Sequence, residues 1–344
     1  MNLFTPIVSE GQWHPNFLAI MKARNGYNCD VINDWAKGFI DRDRKFVKEF
    51  QTSFNSCFWE LYLNAVFNYY GFSIDWGHPS PDFCITKPIE IIVEATIASN
   101  EKGGVPESLT FKSNIPSDLN EFNRKTIIRL SNSIHEKYKK YKSKYSILSH
   151  VSEKPFVIAV AAFDRPYFFM TCQRAIEALL FEYYVNEEEY IEKKEKAEPL
   201  IGNYIDEIIK DNGSPIELGL FSKNIMPEVS AVIFSSAATW GKVRALSNDP
   251  NPFIKFDALR YNPNSANPHK IEAFKQGYRE SLLDGLRIYH NPHAHFPIDH
   301  LYFKNKDVFQ VYPNYITQEY NFDLREGFLL FRKVHTGLKQ ESMG

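Results

Sequence analysis

Cysteine is scarce and unpatterned in this chain: among 344 residues there are only Cys29, Cys57, Cys84 and Cys172. No two form a CxxC pair, and a chain of this length needs no disulfide staples, so reduced, mostly buried thiols in a cytoplasm are the expectation. An excess of one charge is also lacking. Forty Lys+Arg stand against 42 Asp+Glu, a net of −2, so any nucleic-acid binding must come from a local patch rather than a global field. No apolar run approaches the ~18 residues of a membrane span. The opening MNLFTPIVSEGQWHPNF has neither the charged start nor the apolar stretch of a signal peptide. Repeats and low-complexity tracts are absent, and no composition shift marks a linker.

Several catalytic and metal patterns are missing too. Ser236-Ala237-Ala238-Thr239-Trp240-Gly241-Lys242 lacks the leading Gly and the final Ser/Thr of a phosphate loop, which rejects nucleotide binding there. Lys242 and Arg244 remain candidate phosphate contacts. His290, His293, His295 and His300 cluster near one loop. Their spacing fits no structural zinc pattern and no cysteine is near, so a turn-rich loop by the active face is expected instead. No Ser-His-Asp or Cys-His order stands out.

What is present is a full-sized core: 44% hydrophobic and 24% charged residues, with 28 Phe and 19 Tyr. Residues 1–42, broken by Pro6, Gly11, Pro15 and Gly26, read as an N-terminal extension packed on the core. From Asp43 to Tyr70 apolar residues recur at three and four (Phe46, Phe50, Phe54, Cys57, Leu61, Ala65), predicting one helix that Gly71 closes. Strands are expected at 72–76, 82–86 and 89–99. In the last, Ile92, Glu94, Thr96 and Ala98 share one face. After a loop over 100–116, Asp118 and Glu121 have capping-box spacing for a helix to about Tyr145. PFVIAVAAF (155–163) is then a strand apolar on both faces. Beyond it we expect a mainly helical 166–212 with a solvated charged face at 187–196. Strands at LGLFS and VSAVIFSS, a loop over 250–270, a helix near 271–286 and strands near 300–312 and 326–333 complete the chain.

Three acids fall at telling places in this plan. Asp82 opens the second strand after Pro81. Glu94 sits mid-strand among apolar residues, where an ionised carboxylate is costly unless paired or metal-bound. Glu60 lies on the first helix beside Ser53, Ser56 and Asn64. Carboxylates aimed at one point from adjacent strands make a hard oxygen site suited to Mg2+ or Mn2+, and such an ion can polarise a phosphodiester. On the long helix, Leu130, Ile134, Lys137 and Tyr141 fall at i, i+4, i+7 and i+11, which puts Lys137 on the apolar face. The same helix carries the one basic stripe of the chain, including Lys125, Arg129 and Lys140. That stripe is a candidate track for a nucleic-acid backbone or a solvated face.

Pro81-Asp82, then Glu94-Ala95-Thr96 twelve residues on, behind a helix bearing Glu60, resembles the PD-(D/E)XK nuclease superfamily, in a divergent bacterial branch with ExT in place of ExK. The resemblance covers about 43–165. It implies an α/β fold with a restriction-endonuclease-like core (helix, strand, strand, strand, helix, strand) in a mixed sheet, with 166–344 elaborating the same domain. It implies that Asp82, Glu94 and the Ala95 carbonyl hold Mg2+ or Mn2+, with Glu60 adding a ligand directly or through water. Thr96 stands where the family has lysine, and Lys137, with Lys102 and Lys112 as weaker substitutes, is the candidate replacement. The implied activity is phosphodiester hydrolysis, on DNA ahead of RNA, in bacterial defence or restriction. A homodimer is a family habit with no interface pattern here. Thr96 keeps a second class open: a decayed module of the same fold that binds nucleic acid or a partner protein. A third reading, a toxin-like or structural partner of a neighbouring enzyme, has no supporting residue.

Overall fold

The most apolar segments, Phe156–Ala162 and Val229–Ser235, form the centre of an eight-stranded sheet. In the computed structural model, which describes residues 1–23, 25–195, 202–265 and 267–336, both are buried at every position. A strand reads this way when its two faces are both covered. In chain order the helices are α1 (Pro15–Ala23), α2 (Gly26–Trp35), α3 (Phe46–Thr52), α4 (Asn55–Tyr69), α5 (Leu119–Lys140), α6 (Arg174–Phe181), α7 (Glu187–Glu195) and α8 (Trp240–Leu246). The strands are β1 (Ser73–Asp75), β2 (Phe83–Lys87), β3 (Ile91–Ala98), β4 (Phe156–Ala162), β5 (Tyr183–Tyr184), β6 (Asn203–Tyr204), β7 (Glu207–Ile209), β8 (Pro215–Glu217), β9 (Val229–Ser235), β10 (Lys255–Arg260), β11 (His269–Phe274), β12 (Leu286–His290), β13 (Val308–Asn314), β14 (Glu319–Asp323) and β15 (Leu329–His335).

The fold is mixed α/β. The large sheet runs β1-β2-β3-β4-β9-β12-β13-β14. β2 pairs with β3 antiparallel, while β3, β4 and β9 are parallel, with Glu94 opposite Ile158. From α4 to β4 the order is the expected helix, three strands, helix, strand. Residues before 43 contribute Leu3, Phe17, Ile20, Ile32 and Trp35 to the main core. A second, smaller core lies around β10, β11 and β15, with Phe256, Tyr278 and Leu329 at its centre.

Local chemistry explains the ends that matter. Gly71, at φ 70°, lets the Phe72 N–H reach the Phe67 carbonyl and the Gly71 N–H reach Asn68, which closes α4. The Asp118 carboxylate accepts the Glu121 N–H at 2.8 Å and starts α5. At its far end α5 widens into a π-helical turn over Tyr141–Tyr145. Such turns often occur at functional sites.

Other expectations are corrected. The single helix over 43–70 is two, because Phe54 turns the chain at φ 35°. LGLFS is not a strand but a turn whose Gly219, Leu220 and Phe221 N–H groups cap the Leu179 and Leu180 carbonyls at the end of α6. Gly219, at φ 83°, permits that turn. The loop over 250–270 contains β10, and the helix near 271–286 is replaced by β11, which pairs with β10 along its whole length. Residues 300–303 form a 3-10 turn before β13. The stretch 166–212 is less helical than expected, since it also holds β5, β6 and β7. Of the charged run at 187–196, residue 196 lies outside the described residues, as do 337–344 at the end of the proposed elaboration.

Candidate active site

The site begins with a turn that a distant arginine holds. Arg42 donates to the His78 carbonyl at 2.5 Å, the Pro81 carbonyl at 3.0 Å and the Asp82 carbonyl at 3.1 Å. Asp82 is thereby set at the mouth of β2, and its carboxylate accepts the Ala95 N–H of β3 at 2.7 Å. Glu94, mid-strand, is fully buried at 1% exposure. Its Oε1 accepts from the ammoniums of both Lys137 and Lys140, each at 2.9 Å. These residues are one turn apart on α5, so a single helix face delivers two positive charges to one oxygen. Together with Ser56 and Glu60 of α4, they line one cleft of about 460 Å3.

The electrostatics of this cleft are unbalanced. Glu60, Asp82 and Glu94 face the ammoniums of Lys137 and Lys140, and both ammoniums go to the same oxygen of Glu94, while Glu136 and Arg129 add one charge of each sign to the lining. Burial and the nearby Glu94 charge push the Asp82 carboxyl up to about 6. Burial, followed by the charge of Asp82, lifts Glu60 well above the ordinary carboxylate range. Burial alone would lower the Lys137 ammonium, but the Glu94 carboxylate against it outweighs this and raises it. Among the described residues, Glu94 Oε2 is buried without a hydrogen-bond partner, and so is the Tyr145 hydroxyl. Burial and then the Glu94 and Asp82 charges raise the Tyr145 phenol. Lys140 Nζ lies 4.9 Å from the centre of its ring.

The donors suit a hard cation. They are carboxylate and carbonyl oxygens, as Mg2+ and Mn2+ prefer, with an orphaned oxygen on Glu94 and two acids whose charges are under-compensated. They do not close on a point by themselves. Among the described residues, no group of three His, Cys, Asp or Glu side chains stands at metal-holding distance. The ammoniums hold Glu94 Oε1 and the Ala95 N–H holds Asp82.

The structure brings Glu60, Asp82, Glu94, Ala95, Thr96, Lys137 and Lys140 to one cleft, with Arg129 at its edge. Lys125 lies further along α5 in an adjoining groove. One candidate phosphate contact is corrected. Lys242 is fully buried, with its three donors taken by Glu280 at 2.7 Å, the Ser281 carbonyl at 3.0 Å and the Asp284 carbonyl at 2.8 Å. Arg244 is half-buried near Asp249 and lines neither groove. Of the histidine loop, His290 is buried at the end of β12, facing Gln310 at 3.0 Å. Sequence reasoning missed Arg42, Tyr145 and the bond from Lys140 to Glu94. The three-residue step from Lys137 to Lys140 was a usable signal for the last. Nothing local ties residue 42 to 82. Compared with known proteins, the chain matches no family model, no curated protein and no solved structure.

Proposed function

We propose that this chain is a metal-dependent nuclease of restriction-endonuclease-like fold that hydrolyses phosphodiester bonds in DNA. One observation carries the reading: Glu60, Asp82 and Glu94 converge with Lys137 and Lys140 on one cleft, in the element order that the resemblance to the PD-(D/E)XK superfamily implies. Asp82, Glu94 and the Ala95 carbonyl would hold Mg2+ or Mn2+, with Glu60 beside them. The ion, when bound, supplies Lewis-acid polarisation of the phosphodiester. The chain's own groups do the rest. Lys137, only one-fifth exposed, orients the attacking water and offsets charge on the phosphoryl oxygens as it grows. Lys140, twice as exposed, meets the phosphate from the open side. Together they stand in for the lysine that Thr96 replaces. Arg42 fixes the turn that positions Asp82.

A second reading has its own observation. Two ammoniums on Glu94 Oε1 already neutralise the most buried acid of the cleft, as a decayed module that only binds nucleic acid or a protein would require. Cleavage of supercoiled and linear DNA in Mg2+ or Mn2+ separates the two. Asp82→Asn and Glu94→Gln should each lower the rate by at least a hundredfold, and Lys137→Ala by a similar factor. Lys140→Ala should cost about tenfold, most of it in KM. Loss with the acids but not with Lys137→Ala would keep the nuclease and overturn the lysine assignment. No cleavage by the wild type, with metal shown to be bound, would favour the binding module.

A further inference from the structure

Next to the carboxylate cleft lies a second groove that the proposed hydrolysis does not use. It has a volume of about 260 Å3 and runs between α5 and the tip of the β7–β8 hairpin. The two share Arg129 and Asn132 as a common wall, so they form one trough along α5. Lys137 and Arg129 are eight residues apart, roughly 12 Å along the helix axis. That is several times the ~3.4 Å axial rise per nucleotide of a B-DNA strand, so the trough is long enough for a stretch of backbone rather than one phosphate.

The hairpin is fastened in place. Arg124 donates to the Ile209 carbonyl and to the Asp211 carboxylate, each at 2.5 Å. The Lys210 N–H closes the tip on the Ser214 carbonyl at 2.9 Å. Lys210 is thus held over the groove with its ammonium 3.5 Å from the Asn132 amide oxygen. Among the described residues it has no carboxylate partner. The other cations are matched: Arg129 meets Glu101 at 2.8 Å, Lys125 meets Glu121 at 3.5 Å and Arg124 meets Asp211. Lys210 is therefore the surplus charge of the groove. Among the described residues no aromatic side chain lines it, so these offer no stacking platform for bases. Its ammonium and guanidinium groups and the amides of Asn132 and Asn212 suit phosphate oxygens, and the two carboxylates that also line it, Glu101 and Asp211, are each engaged by an arginine.

We infer that this groove is a subsite for the sugar–phosphate backbone of a DNA strand flanking the bond cut in the cleft, with Lys210 as its phosphate contact. The inference rests on the nuclease reading for its direction, and it requires binding without dependence on sequence. The test is fluorescence anisotropy of labelled DNA, in two unrelated sequences, with Ca2+ over a series of KCl concentrations. Wild type, Lys210→Ala, Lys210→Glu and a control on another surface, Lys306→Ala, are compared, with circular dichroism to verify folding. Lys210→Ala should weaken binding about three- to tenfold on both sequences and reduce the salt slope by about 1, and Lys210→Glu should weaken it further. A merely structural role would weaken binding without moving the slope and would overturn the inference. So would unchanged binding by Lys210→Ala, whereas cleavage by the wild type would then leave the nuclease reading standing. A Lys210-dependent slope in a protein that binds metal yet cuts nothing would keep the subsite and remove the nuclease. Binding of RNA alone, or no binding at all, overturns the inference.

Discussion

Asp82 shows most clearly how a single residue carries the tension of the site. Its carboxyl is lifted to about 6 by burial and by Glu94, against about 3.9 in an unfolded chain. An acid raised in this way binds its proton more tightly when folded. Its contribution to stability is therefore complete in acid and is lost as pH rises through about 6. Asparagine keeps an oxygen for the Ala95 N–H and removes the charge. Asp82→Asn should thus gain about 2 kcal/mol over the wild type at pH 8 relative to their difference at pH 4, in metal-free urea denaturation. An equal difference at both pH values would mean that Asp82 is not strained in the folded state. Much of this residue level is legible in the sequence. Pro81-Asp82, a Glu in the middle of an apolar strand and a lysine on the apolar side of a helix are local patterns, and they meet in space. Arg42 is not legible, because its role depends on a contact forty residues away.

At the scale of elements, α5 is the organising piece. Its N-cap at Asp118 is visible in the capping-box spacing, and its inner face supplies both lysines to Glu94. Its outer turns carry Arg124, Lys125 and Arg129 toward the hairpin. Elements whose partners lie far along the chain are harder to read. β11 looks helical in sequence because IEAFK has good helix formers, and only its pairing with β10 makes it a strand. The LGLFS turn has strand composition but spends its N–H groups on the end of α6. Lys242 resembles a phosphate contact only by its place after Gly241. Its real partners come from the segment between β11 and β12. With Glu280 and Arg332 it forms a fully buried ionic cluster in which Glu280 Oε1 meets both cations. These charges hold α8 to the small sheet. Glu280→Ala leaves two buried cations without their acid and should cost about 3–5 kcal/mol in urea unfolding. A loss below about 1 kcal/mol would mean that water or another acid reaches them.

At the scale of the whole molecule, the sheet explains why the site exists where it does. β3 is bonded on both edges, by β2 and β4, so Glu94 sits in a rigid strand that cannot move away from its charge. β2 lies antiparallel to it, which brings the start of one strand, Asp82, beside the middle of the other. The segment α4 to β4 can be anticipated because its elements adjoin one another in both sequence and space. VSAVIFSS also reads as the strand it is, but the order of the later strands cannot be read, since β9, β12 and β13 join the sheet through long connections and β15 closes the small sheet on β10 about 70 residues away. Among the described residues no helix is long and apolar enough to cross a membrane.

The carboxylate cleft stands or falls as a site for a divalent cation. A failed cleavage assay could reflect only the wrong substrate, so the direct measurement is thermal unfolding of the wild type and Glu94→Gln across a Mn2+ titration, each referred to its own metal-free midpoint. A ligand at a hundred times its dissociation constant adds about 2.7 kcal/mol, which for a chain of this size predicts a rise of several degrees in the wild type. A cation held by Glu94 gives that rise, saturating with Mn2+ and absent in Glu94→Gln. An unchanged wild-type midpoint, or an equal rise in both proteins, would contradict it.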